Sequence, residues 1–211
     1  MRPAQLPEYI LFGGSFDPVH FGHLFIAEAA RAHRGAERVI FLPTRAPRHR
    51  AALSEPALDR AAMIRAAIAS NPHFALDLSD LATNASGYSI DLLPRLFLAY
   101  PEARLSFLIG EDSLTRSPWH RFDEVVSMVD RCLIAPRHEE GEGTLDEFLA
   151  TLEPAVRAKI ELLEQPRITI SASVIRASAA QAGSIQYLVP ESVRLYILQH
   201  QLYRSRPSEA T

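Results

Sequence analysis

Short runs of apolar and β-branched residues alternate along the chain with stretches whose apolar positions recur at helical spacing. The runs Tyr9–Phe12, Arg38–Leu42, Phe74–Leu78, Leu105–Ile109, Arg131–Ala135 and Arg167–Ile170 show little polar alternation, as strands buried on both faces do. Between them, residues 23–34 put Glu28, Arg31 and Arg34 on one polar face, with Gly35 as the stop signal. Residues 56–70, 144–163 and 190–200 also read as helices. Residues 90–100 do so if the helix begins near Asp91, which places Pro94 in its first turn. Strand and helix in alternation predict an α/β fold with a parallel sheet and right-handed crossovers. The acidic, Gly-containing stretch 138–147 reads as a solvated loop running into a surface helix.

Two stretches interrupt this regular pattern with candidate chemistry. The first is residues 13–24, GGSFDPVHFGHL. Gly13 and Gly14 fall at the carboxyl end of a predicted strand, where open α/β sheets bind ligands and glycine permits close approach or positive φ. Asp17-Pro18 turns the chain, and Gly22-His23-Leu24 opens a helix whose free amides and dipole favour an anion. His20 and His23 beside that helix start are placed to donate to phosphate oxygens and to stabilise developing charge. Three readings stay open on spacing alone. A phosphate site leads, and a metal site and a solvated turn follow. The metal reading has only two histidines, no adjacent third ligand and no H-E-x-x-H helix.

The second stretch is Ile170–Arg176, ISASVIR. Ser171 is a good N-cap residue, and Ser173 adds a hydroxyl in the first turn. Arg176 follows Ser173 at a spacing that keeps both on one side of the helix start. Amides, hydroxyls and a forked guanidinium together suit a polyphosphate. The alternative is an ordinary capped helix with a surface arginine.

Composition sharpens these readings at a few points. The chain has 211 residues, 47% apolar and 22% charged, which suits one globular domain rather than a disordered chain. The expected organisation is one domain over 1–211, with the helical part from about 171 to 204 packing on the sheet. Lys159 is the only lysine, so any phosphate contact falls to arginine, histidine, hydroxyls or backbone amides, and a Walker P-loop is absent. A single cysteine, Cys132, excludes an internal disulfide and a Cys-based metal site, and its apolar surroundings mark it as core filling. The net charge of −3 argues against a surface that coats nucleic acid. The N-terminal apolar run is too short for a signal-peptide core, and no run is long enough to span a membrane. A reducing cytoplasm is the expected compartment.

The two stretches also carry a family resemblance. GGSFDPVHFGHL resembles the first signature of the nucleotidyltransferase superfamily, H/T-x-G-H, here His20-Phe21-Gly22-His23. ISASVIR resembles its second signature, I-S-x-S/T-x-x-R, with Ser173 where Thr is commoner. The chain is most similar to the bacterial nicotinate-nucleotide adenylyltransferases. Tyr88-Ser89-Ile90-Asp91, Leu108-Ile109-Gly110-Glu111-Asp112-Ser113, Trp119-His120-Arg121, Ala135-Pro136-Arg137 and Tyr187-Leu188-Val189-Pro190 each resemble segments of that family. Pro47-Arg48-His49-Arg50 departs from its P-P-H-K loop: the terminal charge is kept and its geometry changes. Pantetheine-phosphate adenylyltransferases share the first signature and lack the Y-L-V-P tail.

The resemblance implies a Rossmann-like parallel sheet with helices on both faces. It implies adenylyl transfer from ATP to nicotinate mononucleotide, giving nicotinate adenine dinucleotide and pyrophosphate in NAD synthesis. Mg2+ is expected as an ion carried with ATP, not held in a protein cage. By the same resemblance His20, His23 and Arg176 are the catalytic residues. Gly13, Gly14, Ser15, Phe16, Gly110, Asp112, Ser171 and Ser173 join them in binding ATP, with Asp112 facing a ribose hydroxyl. Tyr88, Ser89 and Trp119 are assigned to the nicotinate side, with core packing as the alternative for Trp119. His49 and Arg50 are assigned to the phosphates from a loop, with solvated charge as the alternative, and Arg137 is a further candidate. His33, His73, His120, His138 and His200 are expected at the surface or in structural roles. The implied partners are ATP and nicotinate mononucleotide, with neither nucleic acid nor membrane. A homo-oligomer is left open. The alternatives are nicotinamide mononucleotide or phosphopantetheine as acceptor, or a non-catalytic nucleotide-binding regulator.

Overall fold

A computed structural model describes residues 6–44, 54–82, 86–115, 119–136, 144–166 and 168–204. The apolar runs form six parallel strands: β1 (Glu8–Gly14), β2 (Arg38–Pro43), β3 (Phe74–Leu76), β4 (Arg104–Gly110), β5 (Cys132–Ala135) and β6 (Ile160–Leu162). Their order across the sheet is β3-β2-β1-β4-β5-β6. The register pairs Phe12 with Phe41 on one side and with Leu108 on the other. The strand order reverses at β1, whose neighbours β2 and β4 lead to opposite edges of the sheet. Such a switch point leaves a crevice beyond the carboxyl ends of the two central strands.

Strand residues point alternately to two cores, so both faces need helices. On one face, Leu11, Ile40, Phe107 and Ile109 pack with Leu93 and Leu96 of α3 (Ser89–Ala99), with Leu114 of α4 (Glu111–Thr115) and with Val125 and Val126 of α5 (Phe122–Met128). On the other, Ile10, Phe12, Phe41 and Leu108 pack with Ala27 and Ala30 of α1 (Phe21–Arg34) and with Met63 and Ile64 of α2 (Ala57–Ile68). Ile175 of α8 (Ala172–Ala180) and Val193 and Ile197 of α9 (Glu191–Gln199) complete that second core. α1 stops at Gly35, whose φ of 62° is the left-handed cap conformation that glycine adopts without strain.

Three expectations need correction. The predicted strand Arg167–Ile170 is not a strand over its described part, Ile168–Ile170, and Arg167 lies outside the described residues. The predicted helix 144–163 divides into α6 (Thr144–Ala150) and α7 (Pro154–Arg157), and its end becomes β6. Pro154 cannot continue the preceding helix and instead begins the next one. Ile160–Leu162 then pairs with Cys132–Ile134, completing the sheet edge with ladder bonds that Ile168–Ile170 does not make. Third, α3 begins at Ser89, so Pro94 lies inside the helix and not in its first turn. Pro94 itself is exposed, so its ring projects from the helix while Ile90, Leu92, Leu93 and Leu96 are buried.

Charged pairs gather at the amino edge of the sheet, away from the crevice. Arg34 donates to Glu8 at 2.9 Å and to Glu161 at 2.9 Å, while Arg104 donates to Asp130 at 2.9 Å. Burial by itself raises the Glu8 pKa, but hydrogen bonds from Arg34 and Ser106 and the nearby Arg104 outweigh it and hold the carboxyl below its ordinary value. This clamp ties α1 to β1, β4 and β6.

Candidate active site

The carboxyl ends of the central strands open into a cleft of about 440 Å³. Every candidate residue that falls among the described residues lines it: Gly13, Gly14, Ser15, Phe16, His20, His23, Tyr88, Ser89, Gly110, Asp112, Trp119, Ser171, Ser173 and Arg176. His49, Arg50 and Arg137 lie outside the described residues.

The first signature builds the floor of the cleft. His20 is the N-cap of α1, and its Nδ1 accepts from the His23 amide at 3.4 Å. His23 Nδ1 accepts in turn from the His20 amide at 3.3 Å, so the pair forms a capping box made of two imidazoles. Their rings stack at 3.7 Å between centroids. With both Nδ1 atoms accepting, the neutral tautomer of each ring carries its proton on Nε2, where an imidazole can act as an N–H donor. The spacing was legible in the sequence, since H-x-x-H copies the S/T-x-x-E spacing of a capping box. Sequence reading missed that second function. A Cβ at Gly22 would come within 3.0 Å of the His20 ring, so glycine is what allows the imidazole to fold back over the helix start.

Of the two freedoms open to the motif's glycines, close approach or positive φ, none of them uses the second; the positive φ of this loop belongs to Phe16, at 47°. That conformation is strained for a bulky side chain, and packing holds it. The Phe16 ring is buried and meets His23 at 5.0 Å and Phe12 at 5.3 Å edge to face. The backbone of the loop therefore turns toward the cleft while its side chain anchors in the core. The Asp17-Pro18 peptide that follows is cis.

The second signature forms the facing wall. Ser171 caps α8 through its Oγ, which accepts from the Val174 amide at 3.4 Å and lies 3.1 Å from the Ser173 hydroxyl. Arg176 reaches across to the first signature and donates to the Asp17 carbonyl at 2.6 Å. The amino ends of α1 and α8 thus open on one space, together with two imidazoles and a guanidinium. Two helix dipoles and these donors make it a site for a strongly anionic group.

The rest of the lining is of two kinds, each forming one arm of the cleft. One is aromatic: Trp119 lies at the cleft wall, held by its Nε1 donating to the Ser113 carbonyl at 2.7 Å and by edge-to-face contacts with Phe107 and Phe122. Trp119 therefore both packs on the core and faces the cleft. Tyr88 and Ser89 stand beside it at the start of α3, where no side chain caps the helix. His120, expected at the surface or in a structural role, is exposed but lines this arm, with its ring 4.5 Å from Tyr88. The other arm runs past Gly110 and Asp112 to Ala135, Pro136, Gln165 and Ile168. Sequence reading missed Thr44, Gln165 and Ile168. Thr44 follows the end of β2 and was accessible to the strand-end rule, whereas the misplaced sixth strand hid the other two.

Cys132 is buried in β5, and burial pushes its thiol up to about 12, so it supplies no thiolate. Among the described residues no group of three His, Cys, Asp or Glu side chains is placed to hold a metal ion. No described helix is long and apolar enough to cross a membrane.

Comparison with known proteins agrees with this geometry. The cytidylyltransferase-like family matches residues 11–178. A probable nicotinate-nucleotide adenylyltransferase of Symbiobacterium thermophilum is 36% identical over 92% of this chain and 93% of its own. One of Thermomicrobium roseum is 38% identical over 92% and 91%. Among solved structures, the nicotinic acid mononucleotide adenylyltransferase of Plasmodium falciparum complexed with NaAD superposes with a TM-score of 0.75 at 17% identity, covering 93% of this chain and 97% of that one. That structural likeness shows the shared fold, the α/β sheet expected from the sequence. With both signatures brought to one cleft and relatives matching along nearly its whole length, this chain belongs to the nicotinate-nucleotide adenylyltransferase family of cytidylyltransferase-like proteins.

Proposed function

We propose that this protein transfers the adenylyl group of ATP to nicotinate mononucleotide, releasing pyrophosphate and forming nicotinate adenine dinucleotide. The observation that carries the reading is the convergence of His20, His23 and Arg176 on two helix starts, between an aromatic arm and a second, mostly apolar arm. A dinucleotide with a polyphosphate middle needs such an anion site beside aromatic and apolar surface.

In the reaction, a phosphate oxygen of the mononucleotide attacks the α-phosphorus of ATP. The bond from that phosphorus to the bridging oxygen breaks, and pyrophosphate leaves. No protein nucleophile is needed, and positioning and charge stabilisation do the catalytic work. His20 and His23 donate from Nε2 to phosphate oxygens, with His23 assigned to the α-phosphate, where charge changes most. Arg176, Ser171 and Ser173 hold the remaining phosphates. Trp119 stacks on the pyridine ring, while Tyr88, Ser89 and the uncapped start of α3 orient its carboxylate. Gly110 admits the adenosine and Asp112 accepts from a ribose hydroxyl. His49, Arg50 and Arg137 extend the assignment to the loops. Mg2+ carried on ATP would neutralise phosphate charge there. Among the described residues no group of three metal ligands is placed to hold an ion, which fits one delivered by the nucleotide. We place the reaction in the cytoplasm, where the unpaired Cys132 stays reduced.

Pyrophosphate release with nicotinate mononucleotide, nicotinamide mononucleotide and phosphopantetheine tests the reading. Turnover is expected with the nicotinate acceptor and preferred over the others. ATP binding without turnover on any acceptor would replace it with the regulatory reading.

A further inference from the structure

Arg60 of α2 is the largest fully buried side chain among the described residues, and it is not among those that line the cleft. Its guanidinium lies behind the loop of the first signature. Nη1 donates to the Ser15 carbonyl at 2.5 Å, Nη2 to the Thr44 carbonyl at 2.7 Å and Nε to the Glu55 carbonyl at 3.3 Å. Burying a guanidinium is costly, and burial draws the Arg60 pKa below its ordinary value while the neighbouring Asp17 charge opposes that shift. A fold that only needed to fill this volume would place an apolar side chain here. The position of the charge suggests what it does.

In a trans peptide the carbonyl of one residue and the N–H of the next point in opposite directions. The only cis peptide in the described residues is Asp17-Pro18, so the two peptides before Phe16 are trans. The Ser15 carbonyl points back to Arg60, which turns the Phe16 N–H outward. The Gly14 carbonyl accepts from the Thr44 amide at 2.9 Å, which turns the Ser15 N–H outward as well. Ser15 and Phe16 both line the cleft, and the left-handed φ of Phe16 bends the chain there. Consecutive amides across such a bend form a concave anion site.

We propose that Arg60 is a positioning residue for the phosphate site: from behind the loop it holds the Ser15 carbonyl, so that the Ser15 and Phe16 amides present themselves to a phosphate group of the substrates. Its buried charge adds a favourable field for the same anion. The inference rests on the adenylyl-transfer reading for the identity of that anion.

The test compares wild type, Arg60→Met and Arg60→Lys. Inorganic pyrophosphate and adenosine are used as separate binding probes, and amide NMR shifts are followed in the wild type. Pyrophosphate is expected to shift the Ser15 and Phe16 amides. Arg60→Met should weaken pyrophosphate binding at least tenfold and leave adenosine binding within twofold. Arg60→Lys, which keeps the charge and loses the fork, should fall between. Equal loss of both probes, or unchanged pyrophosphate binding, overturns the proposal. So does a wild type whose two amides do not respond, even if Arg60→Met fails to fold. Wild type that binds pyrophosphate through these amides but turns over no acceptor would instead sink the adenylyl-transfer reading and leave the positioning role standing.

Discussion

Arg176 donates from Nη1 to the backbone carbonyl of Asp17 at 2.6 Å, joining the two signatures through residues 159 positions apart. One branch of the guanidinium is committed to the loop that carries Ser15 and Phe16, and the proposed role in phosphate binding falls to the rest of it. Tyr203 supports the same joint, since its hydroxyl donates to Asp17 Oδ1 at 2.8 Å. The half of the cleft near the C-terminal helices is thereby registered against the half at β1.

Lysine has one ammonium and cannot hold the Asp17 carbonyl and bind phosphate with a rigid fork. Arg176→Lys is therefore expected to lower kcat/KM for ATP by about tenfold to a hundredfold, the scale of a charge-assisted hydrogen bond. Steady-state kinetics with ATP varied checks this. Unchanged kinetics would remove Arg176 from the phosphate site.

His23 serves both the helix cap and the proposed chemistry, and two substitutions separate these. His23→Ala should lower kcat by about a hundredfold or more, as expected for a preorganised donor to developing charge, and should also lower Tm. His23→Gln can restore the cap, because glutamine at this position reaches back to the N-cap amide. It should recover Tm with kcat still low. Recovery of kcat with the cap would assign His23 a structural role only.

Trp119 touches Phe107 and Phe122 as well as the cleft. Trp119→Ala should raise KM for nicotinate mononucleotide more than KM for ATP. Equal changes in the two, accompanied by a drop in Tm, would fit core packing alone.

Asp80, buried beside α3, has its carboxyl raised from 3.8 to about 6 by desolvation, partly opposed by Arg95. A raised carboxyl pKa means the folded state holds its proton while the unfolded state releases it. The contribution to stability is full below about pH 4 and declines as pH rises to 6. Asp80→Asn mimics the protonated form. It should raise stability above pH 6 by up to roughly 3 kcal/mol, the free energy of a two-unit pKa difference, and change little near pH 4. Denaturant unfolding at pH 4 and pH 7.5 measures the difference. Equal effects at both pH values would contradict it.

Five of the six strands were readable from the chain, because strands covered on both faces cannot conceal their apolar runs. β6 was not, since Ile160-Glu161-Leu162 is too short to show a period and its glutamate is spent on Arg34 and Arg131 across the sheet edge. Ile168–Ile170 looked like that strand because its isoleucines are apolar, yet Ile168 and Ile170 line the cleft. His120 is exposed, as expected of a surface histidine, and only its approach to Tyr88 and its place in the cleft lining reveal a second position for it.

The sequence by itself determined the parallel α/β plan, the two signatures and the residue types of an anion site. These follow from local patterns: apolar runs, capping spacing, and glycine next to histidine. Tertiary structure decided the rest. It brought Arg176 to Asp17, placed the Arg60 charge behind the Ser15 carbonyl and gave the strained φ to Phe16 instead of a glycine. The physical reason is that each of these depends on a contact between segments far apart in the chain, and the energy that holds it comes from packing that no local pattern records.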